Sequence, residues 1–160
     1  MKLTRREFFN RTVQGAAIIA FPSILGTILE SCSTNSNPVS ASVSSSNLST
    51  IQTTPKNNVI TLNIDSSSPL STVGNAVLLQ YTNGNLLVDR ADQNTFNALS
   101  AICTHQGCLI TGYDSGSKRF VCPCHGSMFG LNGQVVNGPA QRALPQYQTQ
   151  FNNNQLNISI

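Results

Sequence analysis

The chain has 160 residues, with nine Lys or Arg against six Asp or Glu and only 9% charged side chains, which suffices for one compact domain with extensions but not for two full domains. Four of the nine basic residues, Lys2, Arg5, Arg6 and Arg11, lie in the first eleven positions; beyond residue 30, five basic side chains face four acidic ones. The body is therefore nearly neutral, and without a basic stripe to neutralise phosphates a nucleic-acid binder is excluded.

Residues 1–11 include Thr4-Arg5-Arg6-Glu7-Phe8-Phe9, and the eighteen residues 12–29 carry no charge and are rich in Ala, Ile and Leu. A basic segment before an apolar one reads as an export signal or a membrane anchor helix. Arg5-Arg6 followed by paired phenylalanines resembles a twin-arginine signal, a receptor-read address in bacteria. That route implies a protein exported already folded. Eighteen apolar residues sit at the lower edge of a bilayer span, and Pro22 would kink such a helix. Leu29-Glu30-Ser31-Cys32 resembles a lipoprotein cleavage site, with Glu30 departing from the small or apolar residue usual there. Residues 1–32 are thus expected to be an uncleaved anchor, a signal cut before a lipidated Cys32, or a signal that is simply removed. The first two fates tether the protein to a bacterial or archaeal cell membrane, with its head on the extracytoplasmic side.

Residues 33–54 hold eight serines and no charge, the composition of a flexible linker. At its length such a coil spans about 26 Å. From residue 55 the pattern changes to short strands and turns. Residues 59–64 alternate apolar and polar, as a half-buried strand does. Residues 76–81 and 86–88 flank Thr82-Asn83-Gly84-Asn85, whose Asn-Gly is a hairpin signal. Strands are expected again at 96–102, 119–121, 134–136 and 148–151. Asn152-Asn153-Asn154 turns the chain into an alternating strand over 156–160. No segment after residue 30 has helical periodicity. Residues 55–160 are expected to form an all-β domain of stacked antiparallel sheets.

Four of the five cysteines and both histidines fall between residues 103 and 125. One loop reads Cys103-Thr104-His105-Gln106-Gly107-Cys108, the other Cys122-Pro123-Cys124-His125-Gly126-Ser127. Two thiolates with two imidazoles suit either a tetrahedral Zn²⁺ or an iron–sulfur cluster with mixed ligands.

The pattern C-T-H-x-G-C followed by C-P-C-H-G-S resembles the Rieske family, specifically its disulfide-containing branch. The resemblance covers residues 98–142. It implies one [2Fe-2S] cluster, with Cys103 and Cys122 on one iron and His105 and His125 on the other. It further implies a disulfide between Cys108 and Cys124, compatible with an exported location. Ser127 resembles the family serine that bonds a bridging sulfide and raises the potential, and residues 137–140 resemble the segment that covers the cluster. Two positions depart from quinol-oxidising members. Phe129 stands where a tyrosine hydroxyl usually bonds a cysteine ligand, and Gln106 where leucine is frequent.

The resemblance implies a one-electron carrier. Its first expected role is the iron–sulfur subunit of a quinol–cytochrome oxidoreductase of the cytochrome bc type, partnered by a cytochrome b/c-type membrane complex and quinol. The alternative is a small exported electron-transfer subunit of a molybdenum oxidase or other periplasmic dehydrogenase, a periplasmic oxidoreductase partner without a quinol site of its own. A 2-His-1-carboxylate oxygenase iron would need two further histidines, and there are none. No glycine-rich dinucleotide fingerprint is present.

Overall fold

The computed structural model describes residues 45–160. The signal or anchor expected over residues 1–32 and the linker as far as residue 44 lie outside them. The described residues form twelve strands and no helix, so none of their segments is a helix long and apolar enough to cross a membrane.

In chain order the strands are β1 (Ser46–Asn47), β2 (Ser49–Gln52), β3 (Val59–Asn63), β4 (Ala76–Tyr81), β5 (Gly84–Asp92), β6 (Thr95–Ser100), β7 (Gly112–Asp114), β8 (Arg119–Val121), β9 (Met128–Gly130), β10 (Val135–Asn137), β11 (Gln146–Asn152) and β12 (Gln155–Ser159). A seven-stranded sheet runs β2-β4-β5-β6-β11-β12-β3, and a five-stranded sheet runs β1-β7-β8-β9-β10. All pairings are antiparallel except β2 with β4.

The apolar runs explain the layering. Val77, Leu79, Leu86, Val88, Phe96 and Ala98 point one way and pack against Ile60, Leu62, Leu156 and Ile158 of β3 and β12. Leu78, Leu87 and Leu99 point the other way and pack against Tyr113, Phe120 and Phe129 of the five-stranded sheet. The β4-β5-β6 meander is therefore a middle layer, covered on both faces. That is why Val77-Leu78-Leu79 and Leu86-Leu87-Val88 lack the alternation of a half-buried strand. Between β6 and β11 only two residue pairs are in register, and there the large sheet folds over its own core.

Two turns have the φ values of a primed hairpin. Asn57 and Asn58 lie at φ 51° and 60°, and Asn153 and Asn154 at 50° and 58°, a region asparagine tolerates better than most side chains. At the predicted Asn-Gly hairpin the two loop residues are Thr82 and Asn83, and Gly84 already pairs with Tyr81.

One expectation is corrected. The stretch 33–54, read as linker, contains β1 and β2 among its described residues, so the ordered domain begins before residue 55. β1 adds to β7 and β2 lies beside β4. Within the serine-rich segment Leu48 packs on one core and Ile51 on the other. Two apolar side chains and the free edges of two sheets suffice to order a segment whose composition alone predicts coil.

The middle layer also buries a carboxyl. Asp89 of β5 lies on the Leu87 face and is fully buried. Asn97 Nδ2 donates to its Oδ2 at 2.9 Å, while Oδ1 has no partner. Burial pushes its pKa up to about 7, against the opposing effect of the Asn97 bond. Tyr113 donates its hydroxyl to Gly74 O at 2.6 Å; burial, then the nearby Asp89 and Asp114, raise its pKa to about 12.

Candidate metal centre

The two Cys/His loops leave the same end of the five-stranded sheet and its neighbours. An isolated bridge between Ile102 and Leu109 closes the first loop, and the β8–β9 pairing closes the second. Their backbones are near copies. Cys103 N–H donates to Cys108 O at 2.8 Å and Gly107 N–H to Cys103 O at 2.9 Å. Likewise Cys122 N–H donates to Ser127 O at 2.9 Å and Gly126 N–H to Cys122 O at 3.1 Å. Each pair of bonds closes a tight turn whose fifth residue has positive φ, 76° at Gly107 and 73° at Gly126. A Cβ built on either glycine meets no atom within 4 Å. The demand for glycine there comes from the backbone angle and not from crowding.

The loops bring all six sequence-predicted Cys and His residues together in pairs. Cys108 and Cys124 are joined in a disulfide, 16 residues apart in sequence, which cross-links the loops as the family resemblance implies. Cys103 and Cys122 are free thiols and buried, both packed in the core beneath the loops beside Ile110 and Phe129. Burial pushes the Cys122 thiol up, while backbone N–H donors from Cys124 and His125 favour its thiolate. His105 is half-buried and His125 exposed. Their Nδ1 atoms lie 3.3 Å apart and their rings meet edge to face, with centroids 4.8 Å apart.

The Sγ atoms of Cys108, Cys122 and Cys124 also fall within 4.8 Å of one another. Two of those sulfurs are consumed by the disulfide and cannot act as thiolate donors, so that trio is not a metal site. The usable donors are two buried thiols and two imidazoles, thiol beside thiol and imidazole beside imidazole. Soft sulfur on one side and nitrogen on the other is the donor chemistry of a two-iron centre with unlike ends. On that ground the residues fit such a group.

A third segment, residues 137–142, crosses both loops. Ala140 N–H donates to Ser127 Oγ at 3.0 Å, and Asn137 Nδ2 to Gly126 O at 3.4 Å. Thr104 Oγ1 donates to Arg142 O at 2.5 Å. Ser127 is fully buried. Its oxygen accepts from Ala140, which leaves its own proton free to donate. Composition and spacing held no sign of these cross-links; Thr104 and Arg142 are thirty-eight residues apart.

The family model for the Rieske [2Fe-2S] domain matches residues 62–148. The cytochrome b6-f complex iron-sulfur subunit of Prochlorococcus marinus (strain NATL1A) is 37% identical over 102 residues, 61% of this chain and 57% of that protein. The chloroplastic cytochrome b6-f complex iron-sulfur subunit of Bigelowiella natans is 41% identical over 75 residues, 46% of this chain and 29% of the relative. The chain thus spans little more than half of the first relative and less of the second. Among solved structures, the plasma membrane Rieske protein PetC3 of Synechocystis PCC 6803 superposes with a TM-score of 0.52 at 31% identity, covering 62% of this chain and 99% of that one. Naphthalene 1,2-dioxygenase superposes with a TM-score of 0.53 over 64% of this chain and 26% of its own, at 20% identity, and shares the fold alone.

Proposed function

The chain belongs to the Rieske [2Fe-2S] domain family, and from that premise we propose that it is the one-electron carrier of a quinol-oxidising cytochrome complex. Cys103 and Cys122 would hold one iron and His105 and His125 the other. The observation that carries the assignment is the pairing: two buried free thiols and two imidazoles with facing Nδ1 atoms, delivered by two cross-linked loops. When bound, the cluster supplies a one-electron site and makes the imidazoles opposite its iron more acidic.

The chain's own groups do the rest. Backbone N–H groups of Cys124 and His125 stabilise the Cys122 thiolate. With the two Nδ1 atoms turned toward each other, Nε2 of each histidine is the nitrogen left for a partner. An unprotonated Nε2 on exposed His125 can accept a hydrogen bond, and then a proton, from a quinol hydroxyl. The buried Ser127 hydroxyl, which accepts from Ala140 N–H, would donate its own proton to the bound cluster and favour the reduced state. Phe129, fully buried with no hydroxyl, offers no such bond, which holds the potential below the top of the Rieske range of about −150 to +300 mV.

Of the two roles expected from the sequence, the names of the relatives favour the cytochrome complex. Residues 1–32 then serve as a twin-arginine-like signal or anchor, and the segment up to residue 44 as the tether, holding the head on the extracytoplasmic face of the membrane. The test is reduction of the purified, cluster-loaded chain by a membrane fraction of its own cells supplied with quinol. The predicted reduction is abolished by an inhibitor of the quinol-oxidising site and rescued in a subunit-deleted strain by the full chain. Reduction that ignores the inhibitor and follows a molybdenum oxidase substrate would assign the alternative role.

A further inference from the structure

The end of the molecule that carries the two histidines is almost free of charge. Across residues 101–112 and 122–145 the only ionic side chain of Asp, Glu, Lys or Arg type is Arg142. It is exposed and lines a recess of about 460 Å³ together with Thr104, His105, Pro139 and Gln141. Its backbone is pinned to the first loop by the Thr104 hydroxyl. By contrast Arg90 spends its guanidinium on the carbonyls of Leu70, Ser71 and Gln93 and on the faces of Phe96 and Phe151.

We propose that Arg142 makes this electron-exchange face selective for an acidic partner, a redox protein that presents a carboxylate beside its own electron entry point. The inference rests on the reading that the cluster exchanges electrons through the face that His105 and His125 present. A guanidinium fork matches a carboxylate bidentately, and such a pair is strong because it is charge-assisted. On a neutral face a lone cation also decides the sign of the local field, and hence which partners are steered in and which are repelled. The pinned carbonyl of Arg142 holds the base of its side chain at the rim of the His105 recess, so the carboxylate it engages lies next to the imidazole that marks the electron-exchange face.

The test uses the cluster-loaded chain, reduced with ascorbate and mixed in a stopped flow with anionic ferricyanide or cationic tris(phenanthroline)cobalt(III). Ionic strength runs from about 0.01 M, where the Debye length is about 30 Å, to about 1 M, where it is about 3 Å. At low salt Arg142→Gln is expected to slow ferricyanide about threefold and to speed the cobalt complex by a similar factor, from the Coulomb energy of one charge against three at roughly 15–20 Å in water. Arg142→Glu is expected to change both rates about tenfold in the same senses, and Arg142→Lys to restore wild-type rates. At high salt all four proteins converge, and their EPR signal and reduction potential stay unchanged. Hexaglutamate, added as a redox-inert competitor at matched ionic strength, slows the ferricyanide reaction of the wild type and not of Arg142→Gln. Rates that shift equally for both oxidants, or an indifference to hexaglutamate, would overturn the inference. An unmodified chain without the Rieske EPR signal would sink the cluster reading itself, whereas an intact signal with unchanged rates sinks the Arg142 inference alone.

Discussion

Replacing Asp89 by asparagine removes the one carboxyl that the described residues bury completely. Burial raises its pKa from 3.8 to about 7 in the folded domain. Between those two values the folded chain keeps a proton that the unfolded chain has already released. Stability therefore falls as pH rises from about 4 to about 7, and is flat with respect to this group outside that window. A difference of about three pH units corresponds to something on the order of 4 kcal/mol, lost in full at and above neutral pH. Asparagine keeps an acceptor for Asn97 and never ionises. Asp89→Asn is thus expected to match the wild type near pH 4 and to exceed it near pH 8, where a gain of that order raises the melting temperature by about 15 °C for a domain of this size. The assay is thermal unfolding followed by circular dichroism at several pH values across the window. A variant that keeps the wild-type slope between about pH 4 and pH 7, or that melts lower near pH 8, would refute the account of a buried, unpaired carboxyl.

Three further outcomes follow from the loops. Cys124→Ser opens the cross-link between Cys108 and Cys124, which closes a segment of 16 residues; the chain-entropy cost is about 3 kcal/mol, to be seen as earlier melting and faster iron loss, with thiol reductant doing the same to the wild type and nothing more to the variant. Ser127→Ala orphans the Ala140 N–H, which the serine oxygen satisfies at 3.0 Å. It is expected to cost about 1–3 kcal/mol and to lower the reduction potential in voltammetry while the cluster remains. Phe129→Tyr adds a hydroxyl in the core that also contains Cys103 and Cys122 and is expected to raise the potential; an unchanged value would discount the missing hydroxyl as a cause.

How far the sequence carried the structure depended on how local each signal was. The two loops were legible because in each of them the ligands, the glycine and the cross-linking cysteine fall within one stretch of six residues, and a tight turn is decided by nearby residues. The strands with long apolar runs were legible for the same reason, although nothing in 76–81 or 86–88 said that both faces were covered. That is a property of the outer layers, contributed by residues as distant in sequence as Ile158 is from Val77. β7 and β9 have three residues each, too few to show any period. β1 and β2 are held by sheet edges and by Leu48 and Ile51, so the serines around them read as coil. Asp89 looked like an ordinary charge within residues 86–92, and only the packing of the five-stranded sheet over the meander makes it a buried acid. The bonds from residues 137–142 to both loops are long-range hydrogen bonds between side chain and backbone, and no spacing rule announces them.

The most direct test of the central claim is EPR of the dithionite-reduced protein, joined to a redox titration from about pH 6 to about pH 10, since electron and proton transfer are linked at a metal-bound imidazole. The account predicts a rhombic signal with an average g below the free-electron value, and a potential that falls as pH rises. A protein that is EPR-silent and retains one zinc would contradict it.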